Sequence, residues 1–200
     1  MGRDYMSLLD DIRTYEPFNE QEAVDRRLIM ERLEDDSRAF DRDSLAHVTC
    51  SAWTVDPLFE RTLLVYHRIY DSWSWIGGHA DGERDLSAVA FRELQEETGV
   101  SGGKIAQCGP GDIFSLEVLT VDGHEKRGAY VGSHLHLNVT YLVVADPSER
   151  IRVKEDENSG VRWVPLEDAI TLSSEPWIRE RIYRKLISKT RAVAAACGQA

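Results

Sequence analysis

The chain has 200 residues and a mass of 22.7 kDa, the size of one ordinary domain or of one domain with an extension. Hydrophobic residues make up 42% and charged residues 30%, which fits a soluble globular chain and excludes a disordered one. A formal net charge of −11 disfavours nucleic-acid polymers and anionic membranes as partners. It leaves open a small phosphorylated ligand, because a bound divalent cation reverses the local field.

The opening residues MGRDYMSLLDDIRTYE carry acids and no apolar run, so no secretory signal is expected. Asn19-Glu20-Gln21-Glu22 reads as a helix start, with Asn19 as N-cap, Glu22 at N3, and Phe18 facing Ala23 across the first turn. The helix is expected to run to about residue 36, with a solvated Arg/Glu face, packing through Val24, Leu28 and Leu33. From Leu45 the pattern becomes β-rich: HVTCSAWTV and RTLLVYHRI, separated by Asp56-Pro57, predict a hairpin-like pair. The runs IFSLEVLTV, GSHLHLNVTYLVV and VRWVPL predict three more strands. The stretch from Gly128 to Ala145 lacks Asp, Glu, Lys and Arg for 18 residues, a length at which a membrane span is arguable. His134, His136, Asn138 and Thr140 alternate there with Leu135, Leu137 and Val139, so it reads as a strand. Trp177, Ile178, Ile182, Leu186 and Ile187 recur at helical spacing and predict a terminal helix over Ser174 to Thr190. Strands interleaved with a few helices indicate a mixed α/β or α+β domain.

Cys50, Cys108 and Cys197 are odd in number, far apart, and form no CxxC pair, so neither a zinc site nor a disulfide framework is expected and a reducing cytoplasm is the default. Cys50, near Trp53, reads as a buried thiol.

The segment that carries chemistry is GGHADGERDLSAVAFRELQEETGV, Gly77 to Val100. A Gly-rich turn opens it, Asp85 can cap a helix running to about Thr98, and Gly99 suits the left-handed residue that ends it. Leu86, Val89, Ala90 and Leu94 form one apolar stripe at helical spacing. Glu93 and Glu97 fall within that stripe, and Glu96 lies just beside it. Carboxylates normally occupy the opposite face, and the last helical turn disfavours negative charge. Three converging acids need a counter-cation, and Arg92 is the only nearby basic residue on the helix. A hard divalent ion, which prefers oxygen ligands and keeps waters for a phosphate, meets that need.

These residues resemble the box of the Nudix (MutT-like) hydrolase family, G-x5-E-x7-R-E-U-x-E-E-x-G-U with U aliphatic. Gly78, Arg92, Glu93, Leu94, Glu96, Glu97, Gly99 and Val100 match it in register. The first Glu of the pattern falls instead on Arg84, with Glu83 one residue early; a shifted turn would let Glu83 substitute. The order of the remaining elements extends the resemblance from about Leu45 to Thr190. It implies a Nudix-type α/β/α sandwich with a mixed β-sheet, in which residues 45–200 form the hydrolase domain and residues 1–44 an N-terminal helical extension.

The resemblance further implies cleavage of a diphosphate linkage, often in a nucleoside derivative, with Mg²⁺ or Mn²⁺ as cofactor. Glu93, Glu96, Glu97 and the main-chain carbonyl of Gly77 would be metal ligands, with Arg92 orienting the carboxylates. Glu157, six residues before Trp163, matches a further ligand or base of such enzymes; the alternative is a solvated acidic loop in KEDEN. Glu93 and Glu157 are both candidates for the general base. His79 is placed to touch a phosphate. His134 and His136 share one strand face and could contact substrate or metal, but a polar strand face is the reading preferred here. Trp73 and Trp75, also two apart, either stack on a substrate ring or pack. A homodimer is an expectation of the resemblance. Two other readings share the fold. One is a nucleotide-sensing domain without catalysis. The other is an isomerase of isopentenyl diphosphate, which the absence of a Cys in Ile76-Gly77-Gly78-His79 and the intact REUxEE run count against.

Overall fold

The computed structural model describes residues 8–35, 38–69, 71–126 and 128–198. In chain order these form α1 (Leu8–Thr14), α2 (Glu20–Asp35), β1 (Ala46–Val55), β2 (Arg61–His67), β3 (Ser72–Ser74), β4 (Ile76–His79) and α3 (Leu86–Thr98). There follow β5 (Lys104–Ile105), β6 (Ile113–Val121), β7 (His124–Lys126), β8 (Ala129–Val131), β9 (His134–Val144), β10 (Asn158–Pro165), α4 (Asp168–Leu172) and α5 (Arg184–Ala196).

Eight strands make one mixed sheet with the order β10-β2-β1-β9-β5; β3 adds to β2, β4 to β1, and β6 to β9. Its spine is the parallel pair β1/β9, in register from Ala46↔Leu135 to Val55↔Val144; every other pairing is antiparallel. Strands buried on both faces alternate between two layers rather than between core and water. In β1, Val48, Cys50 and Ala52 enter a core shared with Ile12, Ile29 and the α3 stripe. Trp53 and Val55 enter the other, with Ile170, Ile182, Tyr183 and Leu186. The result is the expected helix/sheet/helix sandwich. No helix among the described residues is long and apolar enough to cross a membrane.

The N-cap reading of α2 holds, since Asn19 Oδ1 accepts from the Glu22 N–H at 2.9 Å. Its expected end at residue 36 lies outside the described residues. Its packing face agrees with expectation at Leu33, which packs against the core, but Val24 and Leu28 are exposed, whereas Glu22, Asp25 and Ile29 are buried. The cause is the outer edge of β6, whose N–H groups need acceptors. Glu22 Oε1 accepts from Leu116 N at 3.1 Å and Asp25 Oδ2 from Val118 N at 2.9 Å. Lys185 and Lys189 of α5 neutralise Glu22 at 3.5 and 3.2 Å. The terminal helical segment also departs from the prediction: Ile178–Tyr183 is a wide π-type turn that leads into α5, and Trp177 stays half exposed.

Candidate active site

Helix α3 is built as its sequence requires. Asp85 accepts from the Ala88 N–H, and Gly99 takes a left-handed φ of 80° while its N–H returns to Gln95 O. The stripe of Leu86, Val89, Ala90 and Leu94 is fully covered, which aims Glu93 and Glu97 toward β4. That strand lies antiparallel on β1, Gly77 opposite Ser51 and Gly78 opposite Cys50. Both glycines stand where a side chain would crowd its neighbours, backbone at Gly77 and the Glu93 side chain at Gly78. A Cβ at Gly77 would lie 2.5 Å from Ser51 Oγ and 2.8 Å from the Cys50 carbonyl oxygen; one at Gly78 would lie 2.4 Å from Glu93 Cδ.

Glu97 is only 4% exposed. It accepts hydrogen bonds from the Gly77 N–H at 3.3 Å and from Asn158 Nδ2 at 2.8 Å. Burial pushes its carboxyl up to about 8, against the opposing pull of Asn158 and with help from the charge on Glu93. Burial also raises Glu93, as does the charge on Glu96, with Arg92 working the other way; its guanidinium sits 3.6 Å from Glu93 Oε1. Glu96 is more exposed and lies 3.3 Å from Lys154 Nζ, which is 2.9 Å from Glu157 Oε2. Burial disfavours the Lys154 ammonium, but those two carboxylates outweigh it and raise its pKa.

Gly77, His79, Arg92, Glu93, Glu96, Glu97 and Glu157 all line one cavity of about 620 Å³. Glu157 therefore faces the α3 acids rather than open solvent. The shifted-turn idea for Glu83 fails: its Oε1 accepts from the N–H groups of Arg84 and Asp85 at 2.7 and 3.0 Å, folding the carboxylate onto its own turn. Arg84 turns away and stacks 3.9 Å over the Phe40 ring. Trp73 packs edge-on against Tyr66 and beneath Arg162; Trp75 packs on Tyr183 and borders the cavity. Cys50 is buried, and burial raises its thiol.

Three residues of the site carry no local sequence signal. Lys154 lines the cavity beside Glu157, and Asn158, fully buried behind it, donates to Glu97. His47 is brought to His136 by the β1/β9 register, a pairing of residues 89 positions apart that local pattern does not encode. His134 and His136 are not a plain polar face, since both meet His47 and His136 also meets His79.

The model of the NUDIX domain family matches residues 48–186. Among solved structures, a Caenorhabditis elegans Ap4A hydrolase in a binary complex superposes with a TM-score of 0.52 at 20% identity, covering 74% of this chain and 98% of that one. A Clostridium perfringens hydrolase of the NUDIX family gives 0.49 at 16% identity over 74% and 97% of the two chains. Escherichia coli dihydroneopterin triphosphate pyrophosphohydrolase gives 0.48 at 16% over 70% and 95%. At these identities the likeness is one of fold. No curated protein matches the sequence.

Proposed function

The chain belongs to the Nudix family of hydrolases acting on phosphorus-containing anhydrides, and from that premise we propose that it cleaves the diphosphate linkage of a nucleoside diphosphate derivative or a similar small diphosphate, using Mg²⁺ or Mn²⁺. The observation that carries this reading is an excess of carboxylate in one cleft. Glu93, Glu96, Glu97 and Glu157 face a common space, and the two most buried are held above the ordinary carboxylate range by burial and mutual repulsion. Such a group is stabilised by a cation with oxygen affinity. The donor set, all oxygen and mostly anionic, fits a hard divalent ion.

Glu93, Glu96, Glu97 and Glu157, with the Gly77 carbonyl, would hold that ion. Bound there, it would neutralise charge developing on the diphosphate and activate a water. The chain's own groups do the rest. Asn158 and the Gly77 N–H fix the Glu97 carboxylate. Arg92 steers Glu93. Glu93 or Glu157 accepts the proton of the attacking water, and His79 lies at the cavity wall where a phosphate would pass. A reducing cytoplasm suits the free Cys50, Cys108 and Cys197.

The test is a panel of nucleotide sugars, dinucleoside polyphosphates and nucleoside triphosphates with Mg²⁺, followed by detection of phosphomonoester release, for the wild type and for Glu97→Gln. The Gln amide keeps the shape of the side chain but removes one anionic ligand oxygen's charge from the cluster. The expected result is cleavage by the wild type and a loss of about 100-fold or more in the variant. Tight nucleotide binding with no cleavage would replace this reading with the sensor domain.

A further inference from the structure

Beside the carboxylates, the same cavity holds a second group of metal-competent side chains with a different chemistry. His47 stands on β1, His79 ends β4, and His134 and His136 open β9. The parallel register sets His47 beside His136. The antiparallel register sets His79 opposite Thr49, two residues along from His47 and so on the same face. His134 and His136, again two apart, share that face. One ring nitrogen from each of the four lies within 4.8 Å of all the others. His134 Nε2 and His136 Nε2 are 3.1 Å apart. A tetrahedral ion with nitrogen ligands at 2.0–2.1 Å places those nitrogens about 3.3–3.4 Å from one another. That edge is close to the required spacing through a hydrogen bond whose proton, on His136 Nε2, an ion would displace, and no pair needs to shorten by more than about 1.5 Å.

The outer contacts aim the lone pairs inward. His47 Nδ1 meets the Ser44 carbonyl at 2.8 Å and His134 Nδ1 meets the Gly132 carbonyl at 2.8 Å. A carbonyl only accepts, so Nδ1 carries the proton in both rings and Nε2 offers its lone pair, the arrangement that supports a metal-ligating histidine. His47 is 1% exposed, and its Nε2 is buried with no hydrogen-bond partner. An orphaned lone pair at that depth is costly, and an ion at the centre of the cluster would satisfy it.

We propose that His47, His79, His134 and His136 form a binding site for one borderline transition-metal ion such as Zn²⁺, separate in ligand chemistry from the glutamate site in the same cavity. Imidazole nitrogen suits ions of this class and binds Mg²⁺ poorly, whereas the carboxylates suit Mg²⁺ and Mn²⁺. The ion staples β4, β1 and β9, three neighbouring strands, on one face. It thereby fixes the end of β4 next to Gly78, against which Glu93 rests. The site stands on its own geometry and does not depend on the hydrolase reading.

The experiment strips the full-length protein with a chelator and titrates it with Co²⁺ and Zn²⁺ in excess Mg²⁺. Co²⁺ is followed by its visible absorption, and bound Zn²⁺ is counted by elemental analysis. Wild type and a Glu93→Gln/Glu97→Gln double variant should each take up one equivalent, with the intense spectrum of tetrahedral nitrogen-ligated Co²⁺. His134→Ala, at the rim of the cluster, should bind roughly 100-fold more weakly or worse, since loss of an outer-shell partner alone costs 10–100-fold. Circular dichroism checks that the variants are folded. Should a histidine variant fail to fold, the wild-type spectrum decides. No Co²⁺ or Zn²⁺ uptake by wild type, an octahedral oxygen-type spectrum, or binding lost in the glutamate variant and kept in His134→Ala would each overturn the proposal.

Discussion

Adjacent glycines in β4 allow the catalytic reading to be separated from fold stability. In Gly78→Ala the new methyl would sit 2.4 Å from Glu93 Cδ and 2.8 Å from its Cγ and Oε1, well inside the 3.5–4.0 Å of ordinary carbon contact. Every clashing atom belongs to one flexible side chain, and Gly78 is not in the left-handed region. Glu93 therefore yields by about 1 Å while the backbone stays in place. A misplacement of about 1 Å at a reacting centre costs about 100-fold in rate. The expected outcome is a turnover of diphosphate substrate about 100-fold below wild type, weaker Mn²⁺ binding by electron paramagnetic resonance, and thermal stability within about 1 kcal/mol. Gly77→Ala should behave oppositely. Its methyl would meet Ser51 Oγ at 2.5 Å and the Cys50 carbonyl oxygen at 2.8 Å, and backbone does not yield, so overpacking should cost about 1–3 kcal/mol. For a domain of this size that lowers the melting temperature by several degrees. If Gly78→Ala keeps full turnover, or loses it only in step with its unfolded fraction, Glu93 has no part in the chemistry.

Three other perturbations follow from the same contacts. Lys154→Ala removes an ammonium that competes for Glu96 and Glu157, so Mn²⁺ affinity should rise about two- to fivefold, the worth of a partly exposed ion pair; unchanged or weaker binding in a Mn²⁺ titration would contradict this. Glu83→Ala should leave turnover within about twofold and stability within about 0.5 kcal/mol, because its carboxylate serves only its own exposed turn; a large loss of activity would return Glu83 to the metal cluster. Glu22→Gln leaves buried lysines facing an uncharged amide and should cost about 3–5 kcal/mol in chemical denaturation. Burial raises the Glu22 carboxyl, but Lys185 and Lys189 outweigh that and hold it below its ordinary 4.5. Its contribution is then complete above pH 4.5 and lost as pH falls through the lower folded value. Wild-type stability should drop in that acid window, and the variant's should drop less.

The two helices that carry buried acids show when such acids can be read from sequence. In α3 the acids interrupt a four-residue apolar stripe, so position alone marks Glu93 and Glu97 as inward, and the capping residues fix the register on which that inference depends. The geometry agrees. In α2 the same logic points the wrong way. Its apolar Val24 and Leu28 face water, while two of its three buried positions are acids, Glu22 and Asp25. What turns Glu22 and Asp25 inward beside Ile29 is the open N–H edge of β6, with two lysines more than 160 positions from Glu22, and neither leaves a mark on the local pattern. The histidines fall between these cases. His134 and His136 share a face by strand periodicity alone, yet a pair of imidazoles on a strand is an ordinary surface until the β1/β9 register supplies His47 and the β1/β4 register supplies His79. Spacing along one element thus reveals a site when that element provides most of the ligands. A site assembled from three strands becomes visible only with the sheet order, and in this fold both kinds open into the same cavity.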